Sequence, residues 1–388
     1  MSVSIKTCRR LAGALMAGCA LATAPAAFAQ PSGEFARFAV SDEASRTVID
    51  YTVWTELLNG IVFDVGHSNR RPATGRVQVT GSLLSPETTS RYRYETNRVV
   101  YHLMEDDHRA LISAYRAELE ALPSQVALSS LSPNEQLAYW LNLHNVVVID
   151  EIARRYPVTR LNNQRINGQP FHEAKIITVE GVSLSLNDIR LRIVGERWSD
   201  PLVMYGFFSG AIGGPTVRNE AFSGERVWTQ LRLNGREFVN GLRGIDTNRR
   251  NTMISPLYAE HRNLFPNWPM DLYGHLAGLA DSASDDLEPF DGEPAYVNYD
   301  WSIADLTNGR IGCTSGADAS PVTISAGDTS TSNAIDCRVL PAQARTLVDV
   351  VVTRRLEFIR QGRLGQVTVR DIPTNPDARD EDEDGDSR

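Results

Sequence analysis

Ser132-Pro133-Asn134-Glu135-Gln136-Leu137-Ala138-Tyr139-Trp140-Leu141-Asn142-Leu143-His144-Asn145 opens the stretch that decides how this chain folds. Ser132, with Pro133 next to it and Glu135 three residues on, reads as a capping box with proline in the first helical turn. The pattern predicts a helix to about Tyr156, where Pro157 stops it. Leu137, Trp140, Leu141, Val147, Val148 and Ile152, placed at ~100° per residue, surround most of its circumference, so the helix is expected to be largely buried. Glu135, Asn142 and Asn145 fall within about a quarter-turn of one another. A buried amide left unpaired costs ~1–3 kcal/mol. These three residues therefore either tie neighbouring loops to the helix or line a pocket.

Working outward, Thr47 to Ile61 and Val99 to Leu122 carry apolar residues at helical spacing, and Arg76 to Gly81 alternates like a strand. Ile176 to Val179 and Val182 to Leu186, joined by Glu180-Gly181, predict a β-hairpin. Asn187-Asp188 begins another helix. Leu202 to Phe208 is an apolar run of the length of a buried strand, and it leads into the glycine-rich turn Ser209 to Pro215. Helices are expected from about Gly224 through Trp228, Leu231 and Phe238, and from about Pro341 to Gln361. No internal repeat is present. The fold class expected is α+β: a helix-rich single domain with a small β-sheet and a C-terminal extension.

Several of these segments share a pattern with a known family. Glu135 to Asn145 resembles the E-x-L-A-F-W-I-N-x-Y-N helix of domain of unknown function 547 (DUF547). Ser185 to Ile189 resembles its S-L-N-D-I-E-H segment, and Asp200 to Arg218 its D-P-R-I-H-F-A-L-N-C-x-x-x-G-C-P-x-x-R segment. Ala221 to Val227 and Glu237 to Val239 are similar to its next helix, and Tyr299-Asp300-Trp301-Ser302 to its closing Y-D-W-S. The resemblance spans roughly residues 45–306 and implies a domain of no agreed activity. The departures matter as much. The family's Glu-His is Arg190-Leu191 here, its His is Met204, its Asn-Cys is Phe208-Ser209 and its second Cys is Gly214. The thiol and imidazole groups of those segments are all replaced.

The chain has 388 residues and a formal net charge of −9. Lys6, Arg9 and Arg10, the apolar run from Leu11 to about Ala24, and Ala27-Phe28-Ala29 before Gln30 read as a signal peptide over residues 1–29. Lipoprotein processing at Cys19 and twin-arginine export are weaker readings of the same segment. The expectation is a periplasmic or secreted protein with no membrane span in the mature chain. Residues 30–44 read as a loose leader, 307–370 as the extension, and 371–388 as a disordered acidic tail. No basic block suggests nucleic acid. Cys313 and Cys337 remain after processing. In an oxidising compartment they are expected to pair and to close the extension's Ser-, Thr- and Gly-rich loop.

Two functions follow from these residues. One is a binding or scaffolding protein with a degenerate family pocket formed by Glu135, Asn142, Asn145 and Arg218. The other is a hydrolase-like enzyme with Ser209 as nucleophile and His144 as its base. Gly206 to Gly210 is not a G-x-S-x-G elbow. The planar fork of Arg218 and the N–H groups of Gly210, Gly213 and Gly214 together suggest an anionic small molecule or peptide as partner. Glu105-Asp106-Asp107-His108 reads as a solvated helix face rather than a cation site, and no metal or cofactor is expected. Intact mass of the exported protein should begin near Gln30, and non-reducing peptide mapping should link Cys313 to Cys337. An acylated Cys19 terminus or two free thiols would refute the respective expectation.

Overall fold

The computed structural model describes residues 33–73, 90–247, 252–281, 287–309 and 342–361. The signal segment, the strand expected at 76–81, Cys313, Cys337 and the acidic tail lie outside the described residues. Gly33–Ala39 is a 3-10 turn that buries Phe35 and Phe38, and Phe38 meets Trp140 edge-on at 5.1 Å. The expected leader is thus packed down here, because two aromatic rings in one short turn offer enough apolar surface to hold it.

Helix α1 (Thr52–Ile61) runs into β1 (Val62–Phe63), which pairs antiparallel with β2 (Arg98–Val99). The helix expected from Val99 begins only at α2 (Asp106–Ala121), since Val99 is taken up by sheet pairing. At its start the Glu105 N–H donates to His108 Nδ1 at 3.2 Å, so Glu105 and His108 close a helix cap.

Helix α3 (Pro133–Arg155) is the centre of the structure, with every residue from Glu135 to Ala153 buried. Ser132 Oγ accepts from the Glu135 N–H at 3.2 Å. The return arm of the expected capping box is not made. The buried Glu135 carboxylate instead takes the Ile49 N–H at 3.1 Å, which anchors the chain entering α1. One turn pair on, Asn142 clasps the backbone of Phe222, donating to its carbonyl at 2.8 Å and accepting from its N–H at 3.0 Å. Asn145 donates to the Gly206 carbonyl and accepts from the Phe208 N–H, both at 2.9 Å. At the far end Arg116 of α2 bridges Asp150 at 2.9 Å and Glu151 at 2.6 Å.

Strands β3 (Arg165–Ile166) and β4 (Gln169–Pro170) form a tight hairpin about Asn167-Gly168. Strands β5 (Ile177–Val179) and β6 (Val182–Leu184) form another about Glu180-Gly181, with Ile177 opposite Leu184. Both turns have two positive-φ residues, the geometry that matches strand twist. Asp188–Val194 is wound as a π-helix and continues into α4 (Gly195–Arg197). The apolar run at 202–208 is not the expected strand. Pro201–Gly206 is a 3-10 turn, because Asp200 Oδ1 caps the Leu202 N–H at 2.9 Å and Pro201 pre-sets the first helical φ.

The chain continues through α5 (Val227–Val239), β7 (Ile245–Asp246), β8 (Met253–Ile254), α6 (Pro256–Glu260), α7 (Met270–Leu279), β9 (Ala295–Tyr296) and α8 (Ala342–Arg360). Strand β8 pairs antiparallel with β7 and parallel with β9. The fold is therefore α+β and helix-rich, with several very small sheets in place of one among the described residues. An extended segment after β9 closes it. Ile212 donates to the Ser302 carbonyl at 2.9 Å, Ala304 to Gly210 at 2.8 Å, Leu161 to Trp301 at 3.0 Å and Val99 to Ala304 at 2.8 Å. No helix among the described residues is long and apolar enough to cross a membrane.

The Asn142 clasp is the joint most open to test. Asn142→Ala leaves a buried N–H and carbonyl of Phe222 unpaired and is expected to lower unfolding stability by ~1–3 kcal/mol. Urea unfolding followed by circular dichroism reads this directly; an unchanged midpoint would mean that the Phe222 loop is held by something else.

Candidate functional site

Where the turn after Phe208 meets the β3–β4 hairpin and the closing segment, the fold leaves a cavity of about 270 Å³. Ser209, His144, His172 and Arg190 line it, with Tyr299 and Trp301 on one side. The two aromatic rings lie 4.5 Å apart between centroids, and His172 sits between Trp301, at 6.5 Å, and Phe171, at 5.0 Å. The wall depends on Gly214. A Cβ there would collide with Ser209 Oγ and come within 2.8 Å of Tyr299 Oη, so only glycine lets the turn fold back onto Ser209.

Hydrogen-bond partners settle the protonation of the site. Asn145 Nδ2 faces a carbonyl and its Oδ1 accepts the Phe208 N–H. His144 Nδ1, 3.0 Å from that Oδ1, must therefore carry the proton and donate. His144 Nε2 is left as a lone pair, buried and without a partner. His172 Nε2 lies 3.0 Å from the Ser209 carbonyl, which can only accept, so its proton is on Nε2. Burial pushes His144 down to about 3 and His172 to about 4, and both rings are neutral at neutral pH. Ser209 Oγ is 2.9 Å from Tyr299 Oη and accepts from the Ala211 N–H at 3.3 Å. Burial raises Tyr299 to about 12, which keeps it a phenol.

The structure brings only two of the expected site residues into this cavity, Ser209 and His144. Glu135, its carboxyl raised by burial, holds Ile49, and Asn142 holds Phe222. Asn145 holds Gly206 and Phe208, positioning the approach to Ser209 without lining the cavity. Arg218 does not line it either. Its guanidinium is paired with Glu220 and donates to Asn234 Oδ1 at 2.8 Å. Two of the three glycine N–H groups suggested for an anion are spent within the fold: Gly213 donates to Asp300 at 2.9 Å and Gly214 to Ala211 at 3.2 Å. Among the described residues no group of three or more His, Cys, Asp or Glu could hold a metal ion.

Sequence reasoning passed over the other walls. Arg165 and Pro170 reach the cavity because Asn167-Gly168 turns the β3–β4 hairpin, and Asn-Gly is the strongest short hairpin signal in any sequence. Arg190, where the resemblance places a glutamate, ion-pairs with Glu260 at 2.6 Å and donates to Asn187 Oδ1 at 3.1 Å. No local pattern announces that pairing, since its partners lie on separate elements.

Fold and site together define a helix-rich α+β protein with an aromatic-walled cavity, carrying polar groups, beside a buried helix. Residues 128–239, under a third of the chain, match the model of the family described as protein of unknown function, DUF547. The resemblance carried by the motifs holds over that segment, which includes α3, the glycine-rich turn and α5. No curated protein and no solved structure matches the chain.

The buried histidines have a consequence for stability. His144 and His261, each 1 % exposed, fall by burial to about 3 in the folded chain, against an ordinary value near 6.5. Their contribution is complete above about pH 6.5 and is lost as pH falls toward the folded values, because only the unfolded chain takes up the protons. From pH 6.5 to 5 the pair is expected to cost about 3 kcal/mol. His172 and His275, lowered by burial to about 4, add similar shares over the same range, so urea midpoints measure the sum and His261→Phe is expected to remove about a quarter of it.

Proposed function

We propose that this chain is an exported binding protein, periplasmic or secreted, that takes a small ligand in the cavity beside Ser209 and has given up the thiol and imidazole groups of the pattern it resembles. The observation that carries this reading is the orientation of His172. Its Nε2–H is committed to the Ser209 carbonyl, and Ser209 Oγ is engaged by Tyr299 and Ala211. A serine nucleophile needs a base on its hydroxyl, and neither partner of Oγ is one. The signal-peptide pattern read in residues 1–29 supports export. The case for an anionic partner rested on Arg218, whose charge is met by Glu220, and on the glycine turn, where Gly213 and Gly214 bond within the fold.

A second reading, a hydrolase with Ser209 as nucleophile, is favoured by one fact: His144, with a lone pair free on Nε2, lines the same cavity. A fluorophosphonate probe separates the two. The folded protein is expected to remain unlabelled between pH 5 and 9, an interval of about two units either side of neutrality that keeps His144 neutral. Labelling that disappears in Ser209→Ala would establish the enzyme instead.

A further inference from the structure

Resting on the binding role just proposed, the composition of the cavity narrows its occupant. His144 Nε2 is the first constraint. It is a neutral lone pair in a residue 1 % exposed, with no partner, and its tautomer is held by the Asn145 amide. A buried acceptor of this kind is satisfied only by a donor, a hydroxyl or an amide N–H. A carboxylate has none to give at neutral pH, and a phosphate keeps its hydroxyl hydrogen only beside a negative charge that the cavity does nothing to favour.

Charge is the second constraint. Two arginines, Arg165 and Arg190, line the cavity against two glutamates, Glu173 and Glu260. Arg190 is neutralised by Glu260 at 2.6 Å. With both histidines neutral the lining carries no net charge, so it gives no electrostatic preference for an anion.

Shape is the third. One wall is the Tyr299–Trp301 pair, half-buried and presenting an aromatic surface to the cavity. The rim carries planar polar groups that the fold leaves unused. The side chains of Asn162 and Glu173 are exposed and form no hydrogen bond among the described residues. Arg165 donates only to the neighbouring carbonyls of Asn162 and Gln164, both at 3.1 Å. A face that stacks on an aromatic ring and an edge that bears vicinal donors and acceptors belong together on a sugar ring. Its C–H face is apolar, and its equatorial hydroxyls match planar amide, carboxylate and guanidinium groups. At about 270 Å³ the cavity is at the small end for a ligand site and suits one ring rather than an extended chain. A peptide binding by strand addition would also need a free strand edge, and the hairpin at the rim is two residues long on each side.

We infer that the cavity binds a neutral saccharide unit, with its ring against Trp301 and Tyr299, a hydroxyl or acetamido hydrogen on His144 Nε2, and its outer hydroxyls on Asn162, Glu173 and Arg165.

Isothermal titration of the full exported chain tests this with three neutral probes, chitotetraose, cellotetraose and maltotetraose, beside inorganic phosphate, succinate and tetra-alanine. At least one saccharide is expected to bind. Asn162→Ala, at an exposed rim position that does not endanger folding, and Trp301→Leu are each expected to weaken it about tenfold. His144→Phe removes the orphan acceptor, so it is expected to raise the melting temperature while abolishing saccharide binding. Silence from all three saccharides overturns the inference. If phosphate, succinate or tetra-alanine binds instead, the saccharide is wrong and the binding role stands. If none of the six binds and the fluorophosphonate labels Ser209, the binding role falls as well. Saccharide binding that is unchanged in both Asn162→Ala and Trp301→Leu places the ligand elsewhere and also overturns the inference.

Discussion

A helix buried on every side needs partners for the polar side chains it carries, and in this protein that demand organises the segments around α3. The Glu135 carboxylate and the amides of Asn142 and Asn145 have little access to water along a core helix, so they bond to backbone groups of other segments. Glu135 takes the chain before α1, Asn142 the Phe222 backbone ahead of α5, and Asn145 both sides of the bend at Phe207. Each bond satisfies two buried groups at once, the side chain and a loop peptide that would otherwise lack a partner. Loops that carry little regular structure of their own are thereby placed with the precision of a helix.

The cavity inherits its geometry from the last of these joints. Asn145 holds Gly206 and Phe208, which sets where Ser209 emerges, and it also receives the His144 proton. One amide therefore fixes a loop and a tautomer together. The closing segment supplies the remaining wall, since its backbone pairing with residues 210–213 and 161 brings Tyr299 and Trp301 across from His172.

The positions at which the family pattern carries cysteine, Ser209 and Gly214, lie against one another. Their replacement together is physically coherent. Glycine leaves room for the Ser209 hydroxyl, and that hydroxyl bonds to Tyr299. Arg190, in place of a family glutamate, finds its countercharge in Glu260. The result is a lining in which each remaining charge on an inner wall is paired, with the free polar groups at the rim.

Much of this was legible in the sequence. The α3 helix with its N-cap, the Glu180-Gly181 hairpin, the helix through Leu231 and Phe238 and the helix-rich α+β class all follow from local rules: hydrophobic period, capping chemistry and turn residues act within a few positions along the chain. So did the need of Asn142 and Asn145 for partners. Which partners they found, and the sorting of Ser209 and His144 into one cavity while Arg218 turned to Glu220, came only with the tertiary structure. The partners of Asn145, Asn142 and Ser209 lie 61 to 90 positions away, and a side chain's choice among distant groups is decided by packing rather than by its neighbours in sequence. The run at 202–208 shows the limit from the other side. Its apolar content said only that it would be buried, and Asp200 with Pro201 wound it into a 3-10 turn, because a cap acts on the backbone directly while hydrophobicity constrains only burial.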